Sequence, residues 1–200
     1  MYSITDLKGM LFLDIETSTL AKDLDGYAKA IGDNGKEHWK KKSKWVRKNS
    51  PEYIELDDDR LYQLDAALYP EFGRVVCVSI GQVVFEDGVT PTAKIKSFYG
   101  DNEKDILDVF MKTMSRIFHA NPKISLVGHN VKGFDLPFLI KRAIINRIPK
   151  DVLYNSTDLM QALIESGNKL VSYPTHLYWL DIGKHEDLEQ AQEDIKQIKF

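Results

Sequence analysis

The stretch MLFLDIETS, residues 10 to 18, constrains this chain more than any other. Side chains of a strand alternate between faces, so Leu11, Leu13 and Ile15 share one face while Phe12, Asp14 and Glu16 share the other. The apolar face demands a core. The opposite face carries two carboxylates one residue apart, and like charges so placed repel unless water or a cation intervenes. The stretch is therefore either a strand ending at the surface in two solvated acids or one edge of a metal site. Alone it does not decide.

The rest of the chain supplies the frame. Residues 10 to 15 read as a short buried strand, and residues 20 to about 68 as a polar, mostly helical insertion. YPEFGRVVCVSIGQVVFEDG reads as a turn and a long strand closed by Asp87-Gly88, with AKIKSFYG as its partner strand. Asp101 is expected to cap a helix from Glu103 to His119, with Ile106, Leu107, Phe110, Met114 and Ile117 on one face. PKISLVGHN reads as a strand ending at Gly128, and FDLPFLIKRAIINRI as a helix that tolerates Pro137 in its first turn. This order predicts an α/β fold, a mixed sheet flanked by helices, with a ligand site beyond the carboxyl ends of the strands. Asp14 and Glu16 end one such strand, and Gly128 to Asn130 another.

Composition narrows the class. With 43% apolar and 28% charged residues the chain is an ordinary globular one, and a net charge of −3 argues against wholesale wrapping in nucleic acid while leaving room for a local basic groove. The single cysteine, Cys77, lies in an apolar run and reads as a buried core thiol in a reducing compartment. No basic, apolar leader and no stretch of roughly 20 apolar residues stands out, so the expected location is cytoplasmic, away from membranes.

A second motif, VGHNVKGFDLPFLIKR, places Asp135 at a helix start just after a strand and a glycine-containing loop. FLDIET together with HNVKGFDLPFL resembles the first two signature motifs of the DEDD 3'-5' exonucleases. The closer likeness is to the branch resembling the proofreading domain of family B DNA polymerases, in which an Asn stands four residues before an aromatic-Asp pair, as Asn130 stands to Phe134-Asp135. The likeness covers roughly residues 8 to 148. It implies an RNase H-like fold and hydrolysis at the 3' end of single-stranded DNA with two Mg²⁺ or Mn²⁺ ions. By the same resemblance Asp14 bridges both metals, Glu16 holds the metal that activates water, and Asp135 holds the other. Thr17, Asn130 and Phe134 belong to the implied substrate contacts. Phe134 either packs on the terminal nucleotide or is a plain core residue at the helix start, and His129 reads as a solvated loop histidine.

The chemistry accounts for these residue types. Phosphodiester hydrolysis needs a nucleophilic water, stabilisation of phosphate charge and help for the leaving oxygen, which two ions about 4 Å apart can supply. Hard divalent cations take oxygen ligands, and Mg²⁺ combines a few carboxylates with substrate phosphate and water.

Within the insertion, KEHWKKKSKWVRK holds seven basic residues, with Trp39 and Trp45 among them. Lys40, Lys41, Lys42 and Lys44 read as phosphate contacts on a single-strand track. The alternative is a solvated helix face with both tryptophans packed inward.

The tail, residues 149 to 200, has a different texture and resembles the C-terminal end of sugar-phosphate nucleotidyltransferases, whose WLDIG segment implies a metal-binding role for Asp181. That family's glycine-rich N-terminal loop is absent. Exonucleases of the DEDD class use a fourth carboxylate, and the spacings Tyr154 to Asp158 and His176 to Asp181 make Asp158 and Asp181 its candidates. Ser156 or Thr157 is the natural helix cap, which leaves Tyr154 outside the helix, and residues five apart in an extended stretch point to opposite faces. The expectation is thus a tail packed apart as an appendage of different origin, and a carboxylate set that is incomplete. Two rivals follow: a non-catalytic nucleic-acid-binding module with the same fold, and a nucleotidyltransferase fragment.

Overall fold

The computed structural model describes residues 6–32, 34–149 and the pair 171–172. Strand β1 (Met10–Thr19) pairs antiparallel with β2 (Gly73–Val84), which pairs antiparallel with β3 (Thr92–Tyr99). On the other side of β1 lies β4 (Ser125–Gly128), parallel to it, and β5 (Val171–Ser172) runs parallel to β4. The order across the sheet is β3-β2-β1-β4-β5. This is the mixed α/β sheet that an RNase H-like fold requires.

The alternation read in residues 10 to 18 decides how the sheet is covered. Leu11, Leu13 and Ile15 are buried with Val78, Ile80 and Phe98 beneath α4 (Glu103–Ala120) and α5 (Asp135–Ile145). Ile106, Leu107, Phe110, Met111 and Met114 form the buried stripe of α4. Each such side chain taken from water contributes roughly 1.5–3 kcal/mol. On the opposite face the register sets Asp14 beside Ser79 and Ser97, and Glu16 beside Cys77 and Tyr99. That face is open enough to leave Tyr99 78% exposed.

Three sequence expectations need correction. First, β1 does not end at residue 15; Thr17, Ser18 and Thr19 go on pairing with Val75, Arg74 and Gly73 after a register shift between Glu16 and Thr17. The extra residue of the shift is Val76, a bulge of the kind that re-aims side chains beside sites. Second, α4 is capped by Asn102, whose side chain accepts from the Lys104 N–H, and not by Asp101. Third, Val171–Ser172 join the main sheet beside β4, so at these two residues the tail is not a separate appendage. The exposed backbone edge of β4 demands a hydrogen-bonding partner, and a parallel strand supplies one.

The insertion occupies the connection from β1 to β2. It holds α1 (Leu24–Ile31), α2 (Gly35–Asn49) and α3 (Asp58–Asp65) around its own core of Tyr27, Trp39, Val46, Leu61, Tyr62 and Phe72. Side-chain caps start two of these helices, Asp23 accepting from the Gly26 N–H and Asp57 from the Arg60 N–H. Gly35 lets α2 cross α1 closely, since a Cβ there would sit 2.7 Å from the Ala28 Cα. The two ends of the insertion meet where the Leu20 N–H donates to the Phe72 carbonyl at 2.9 Å.

A buried ionic network fixes α5. Arg142 forks onto both oxygens of Glu103 in α4 and donates through Nη1 to the Pro70 carbonyl. Glu103 also accepts from the Val75 N–H and from Asn146. Two elements, α4 and β2, and the end of the insertion are thereby tied to the helix that begins with Asp135.

Candidate active site

Pairing of β1 with β4 stops at Phe12 and Val127, so β1 runs on past the end of its parallel neighbour. Asp14 and Glu16 lie on that projecting half, both exposed. Strand β4 closes on Gly128, whose backbone lies so near β1 that an added Cβ would fall 2.5 Å from the Leu13 carbonyl oxygen. The chain then turns back through His129–Phe134. Val131 is fully buried and anchors this loop, and its carbonyl accepts from the Leu136 N–H. Asn130 takes a left-handed conformation, φ 47°, which Asn tolerates better than most residues. Its carbonyl accepts from the Gly133 and Phe134 N–H groups. Its side chain lies over Gly133, where a Cβ would be 2.4 Å from Asn130 Oδ1. The loop is thus fixed at both ends, and α5 starts against β1.

Asp135, the first residue of α5, is 3% exposed. Burial is the largest influence on its carboxyl and the charge of Asp14 adds to it, pushing the pKa up to about 6. Its own N–H and that of Ile15 donate to the carboxylate and, with the charge of His129, pull the other way without winning. The exposed Asp14 of β1 therefore lies near enough to the buried Asp135 of α5 for its charge to raise that carboxyl. A hard cation would relieve both the burial penalty and the repulsion. The donors are oxygen only, which suits Mg²⁺ or Mn²⁺. Among the described residues no group of three or more His, Cys, Asp or Glu is gathered as a metal cage. Mg²⁺ does not need one, because it keeps several waters and takes phosphate oxygens from a substrate.

The other sequence candidates fall as follows. Thr17 is half-buried just past the bulge. Phe134 is half-buried against the core, its ring 5.5 Å from that of Phe138. Lys40, Lys41 and Lys44 are exposed on α2. Lys42 is turned inward, its Nζ 3.6 Å from the Tyr69 ring centre and 4.5 Å from that of Trp45. Trp39 is wholly buried and donates through Nε1 to the Asp58 carbonyl, whereas Trp45 is half in water. Asp158 and Asp181 lie outside the described residues.

Two features escaped sequence reasoning. Cys77 is not a core thiol; it is half-buried on the face shared with Glu16, directly across the strand pair. Ser79 holds the same relation to Asp14, and its hydroxyl shares a 2.8 Å hydrogen bond with that of Ser97. The polar Ser79 and the small Gly81 at alternate positions of β2 were the available signal. Gly133 beneath Asn130 is the second, and nothing but the loop's glycine hinted at it.

No curated protein matches the chain. Among solved structures, a family B DNA polymerase from the hyperthermophilic archaeon Pyrobaculum calidifontis is similar at 17% identity, with a TM-score of 0.34. The likeness covers 70% of this chain and 11% of that one, so the chain spans only a small part of the polymerase's length. A family model matches residues 68–176, a range that begins before β2, contains Asp135 and runs past β5. Asp14 and Glu16 precede the matched range. The chain belongs to the family described as predicted 3'-5' exonucleases related to the exonuclease domain of PolB.

Proposed function

We propose that the protein is a divalent-metal-dependent exonuclease that removes nucleotides from the 3' end of single-stranded DNA. The observation that carries this reading is the meeting of exposed Asp14 with buried Asp135, whose carboxyl is raised to about 6 by burial and by Asp14. Burial of one carboxylate beside the charge of another favours a cation at that place. Asp14, Glu16 and Asp135 would hold Mg²⁺ or Mn²⁺, two ions in the full mechanism. When bound, these ions stabilise charge on the phosphate and make a water nucleophilic at neutral pH. The chain's own part would be to hold the carboxylates in register, with the backbone of Ile15 beside the Asp135 carboxylate. Asn130, set over Gly133, and Phe134, backed by Phe138, flank the position where a terminal nucleotide would lie.

A 5'-labelled oligonucleotide tests this. The expected result is a ladder of shortened products with Mg²⁺ or Mn²⁺, absent in EDTA and absent for Asp14→Ala. A ladder that survives both treatments would overturn the proposal.

A second reading, a nucleic-acid-binding module that keeps the fold without cutting, draws on the lack of a three-residue acidic or His/Cys cage among the described residues. It requires binding of the same oligonucleotide with no products at any metal concentration.

A further inference from the structure

Trp45 differs from Trp39 in a way the helix alone does not require. Trp39 is wholly buried in the insertion's core, while Trp45, on the same helix α2, is 53% exposed. The exposed indole is nevertheless braced. Tyr69 meets it edge-on with ring centres 6.3 Å apart, and Lys42 lies over both rings. The Tyr69 hydroxyl lies by the carboxylate of Asp65, itself 5% exposed, at the buried foot of the assembly. An aromatic face held rigid at the surface is pre-organised for stacking.

The charge around it is equally ordered. Residues 36 to 48 hold seven basic side chains against one acid, Glu37, in a chain whose net charge is −3. Lys36 and Arg47 are engaged with Asp25 and Asp58. Lys41 and Lys48, both exposed, stand four residues before and three residues after Trp45. Side chains so spaced share one helix face, about 5–6 Å apart. The insertion leaves the sheet from the end of β1 that carries Asp14 and Glu16. The charge of Lys42 is felt with that of Lys141 on α5, the helix opened by Asp135.

We propose that Trp45 is a stacking platform for an unpaired base of single-stranded DNA upstream of the 3' end, with Lys41 and Lys48 on the flanking phosphates. The direction of the strand rests on the exonuclease reading; the binding itself does not. Aromatic stacking accepts any base, so the platform holds DNA without reading its sequence. It also demands that the base be unpaired, which separates it from a basic surface that merely attracts phosphate.

The test is fluorescence anisotropy of a fluorescein-labelled 15-nucleotide single strand in EDTA, with a blunt duplex of the same sequence as comparator. Wild type should bind the single strand more tightly than the duplex. Trp45→Ala should weaken single-strand binding about 5- to 100-fold with the salt dependence unchanged, while Trp45→Phe stays within about 3-fold of wild type. Lys41→Gln with Lys48→Gln should lower the slope of log affinity against log salt by about two. Should Trp45→Ala fail to fold, Trp45→Leu keeps apolar bulk without a stacking face and carries the same comparison. Wild-type affinity in the Ala or Leu variant, or equal binding of duplex and single strand, overturns the platform. A ladder in Mg²⁺ beside a neutral Trp45 variant defeats the platform alone. Binding that depends on Trp45 beside no ladder defeats the nuclease reading alone.

Discussion

The main-chain N–H of Ile15 donates to the carboxylate of Asp135. Ile15 separates Asp14 from Glu16, so the backbone of one acidic motif holds the side chain of the other. No replacement on β1 short of proline at position 15 removes that donor. The joint between strand and helix is therefore set by the polypeptide itself.

That joint comes at a cost to the metal-free protein. Asp135 is buried beside Asp14, and its folded pKa of about 6 lies above the ordinary value of 3.8. A carboxyl raised in the fold favours folding while protonated; that contribution is lost as pH rises from about 4 to about 6. Asp135→Asn should therefore stabilise the metal-free protein by on the order of 1–3 kcal/mol at pH 7. The gain should vanish near pH 4, and nuclease activity should be abolished. Thermal melts across this pH range in EDTA check it; an equal or lower melting temperature at pH 7 would contradict the placement of Asp135.

The Arg142–Glu103 network answers to acid in the opposite sense. Burial alone would raise the Glu103 carboxyl, but hydrogen bonds from Arg142, the Val75 N–H and Asn146 outweigh it and hold the group below its usual value. A depressed carboxyl stabilises the fold above the unfolded value and loses that contribution as pH falls through the folded one. Wild type should lose stability below about pH 4.5 more steeply than Glu103→Gln does. At neutral pH Glu103→Gln strands Arg142 and should cost about 3–5 kcal/mol. Pairing Arg142→Met with Glu103→Leu should restore part of this, since the Val75 N–H and Pro70 carbonyl remain without their partners. Urea unfolding of wild type and the two variants measures it.

Two glycines, one ending β4 and one within the loop, should respond differently to alanine. At Gly128 the new methyl meets main chain, the Leu13 carbonyl, which cannot step aside. Gly128→Ala should cost at least about 1–3 kcal/mol and separate β4 from β1. At Gly133 it meets only the end of the Asn130 side chain. Gly133→Ala should leave the melting temperature nearly unchanged while turning Asn130 away, with a several-fold fall in kcat/KM on the oligonucleotide. Matching stability losses in the two variants would refute the distinction.

Among the lysines of α2, Lys42 should stand apart. Lys40→Gln, Lys41→Gln and Lys44→Gln together should reduce the salt slope of DNA binding by about three without changing the melting temperature. Lys42→Gln should instead lower stability by about 0.5–1 kcal/mol, because its ammonium sits over the Tyr69 and Trp45 rings. A Lys42 variant as stable as wild type would mean that the ring contacts contribute nothing.

What could be read from the chain beforehand follows physical lines. Alternation in residues 10 to 18 announced both a buried face and an acidic one, because a two-residue period leaves a clear trace. The length of β1 left none: Thr17–Thr19 are polar, and only pairing with β2 keeps them extended. In RVVCVSIGQVV the many apolar residues outweighed Ser79 and Gly81, which hid that Cys77, Ser79 and Gly81 face away from the core. Asp101 and Asn102 are both good caps, and the backbone chose the second. The inward turn of Lys42 depends on Tyr69, far along the chain, and no local pattern carries it.

The hydrogen bond from Leu20 to Phe72 has a meaning for how such a chain can change over generations. Because the insertion leaves and rejoins the sheet at touching points, the strands register the same closed gap whatever lies between. Doubling a loop's length adds only about 0.6 kcal/mol of closure entropy. Residues 24 to 65 can therefore lengthen, shrink or alter their charge while the acids of β1 and α5 stay in place, provided Pro70 keeps its place beneath Arg142. The helical insertion and the acidic edge of the sheet are free to evolve at separate rates.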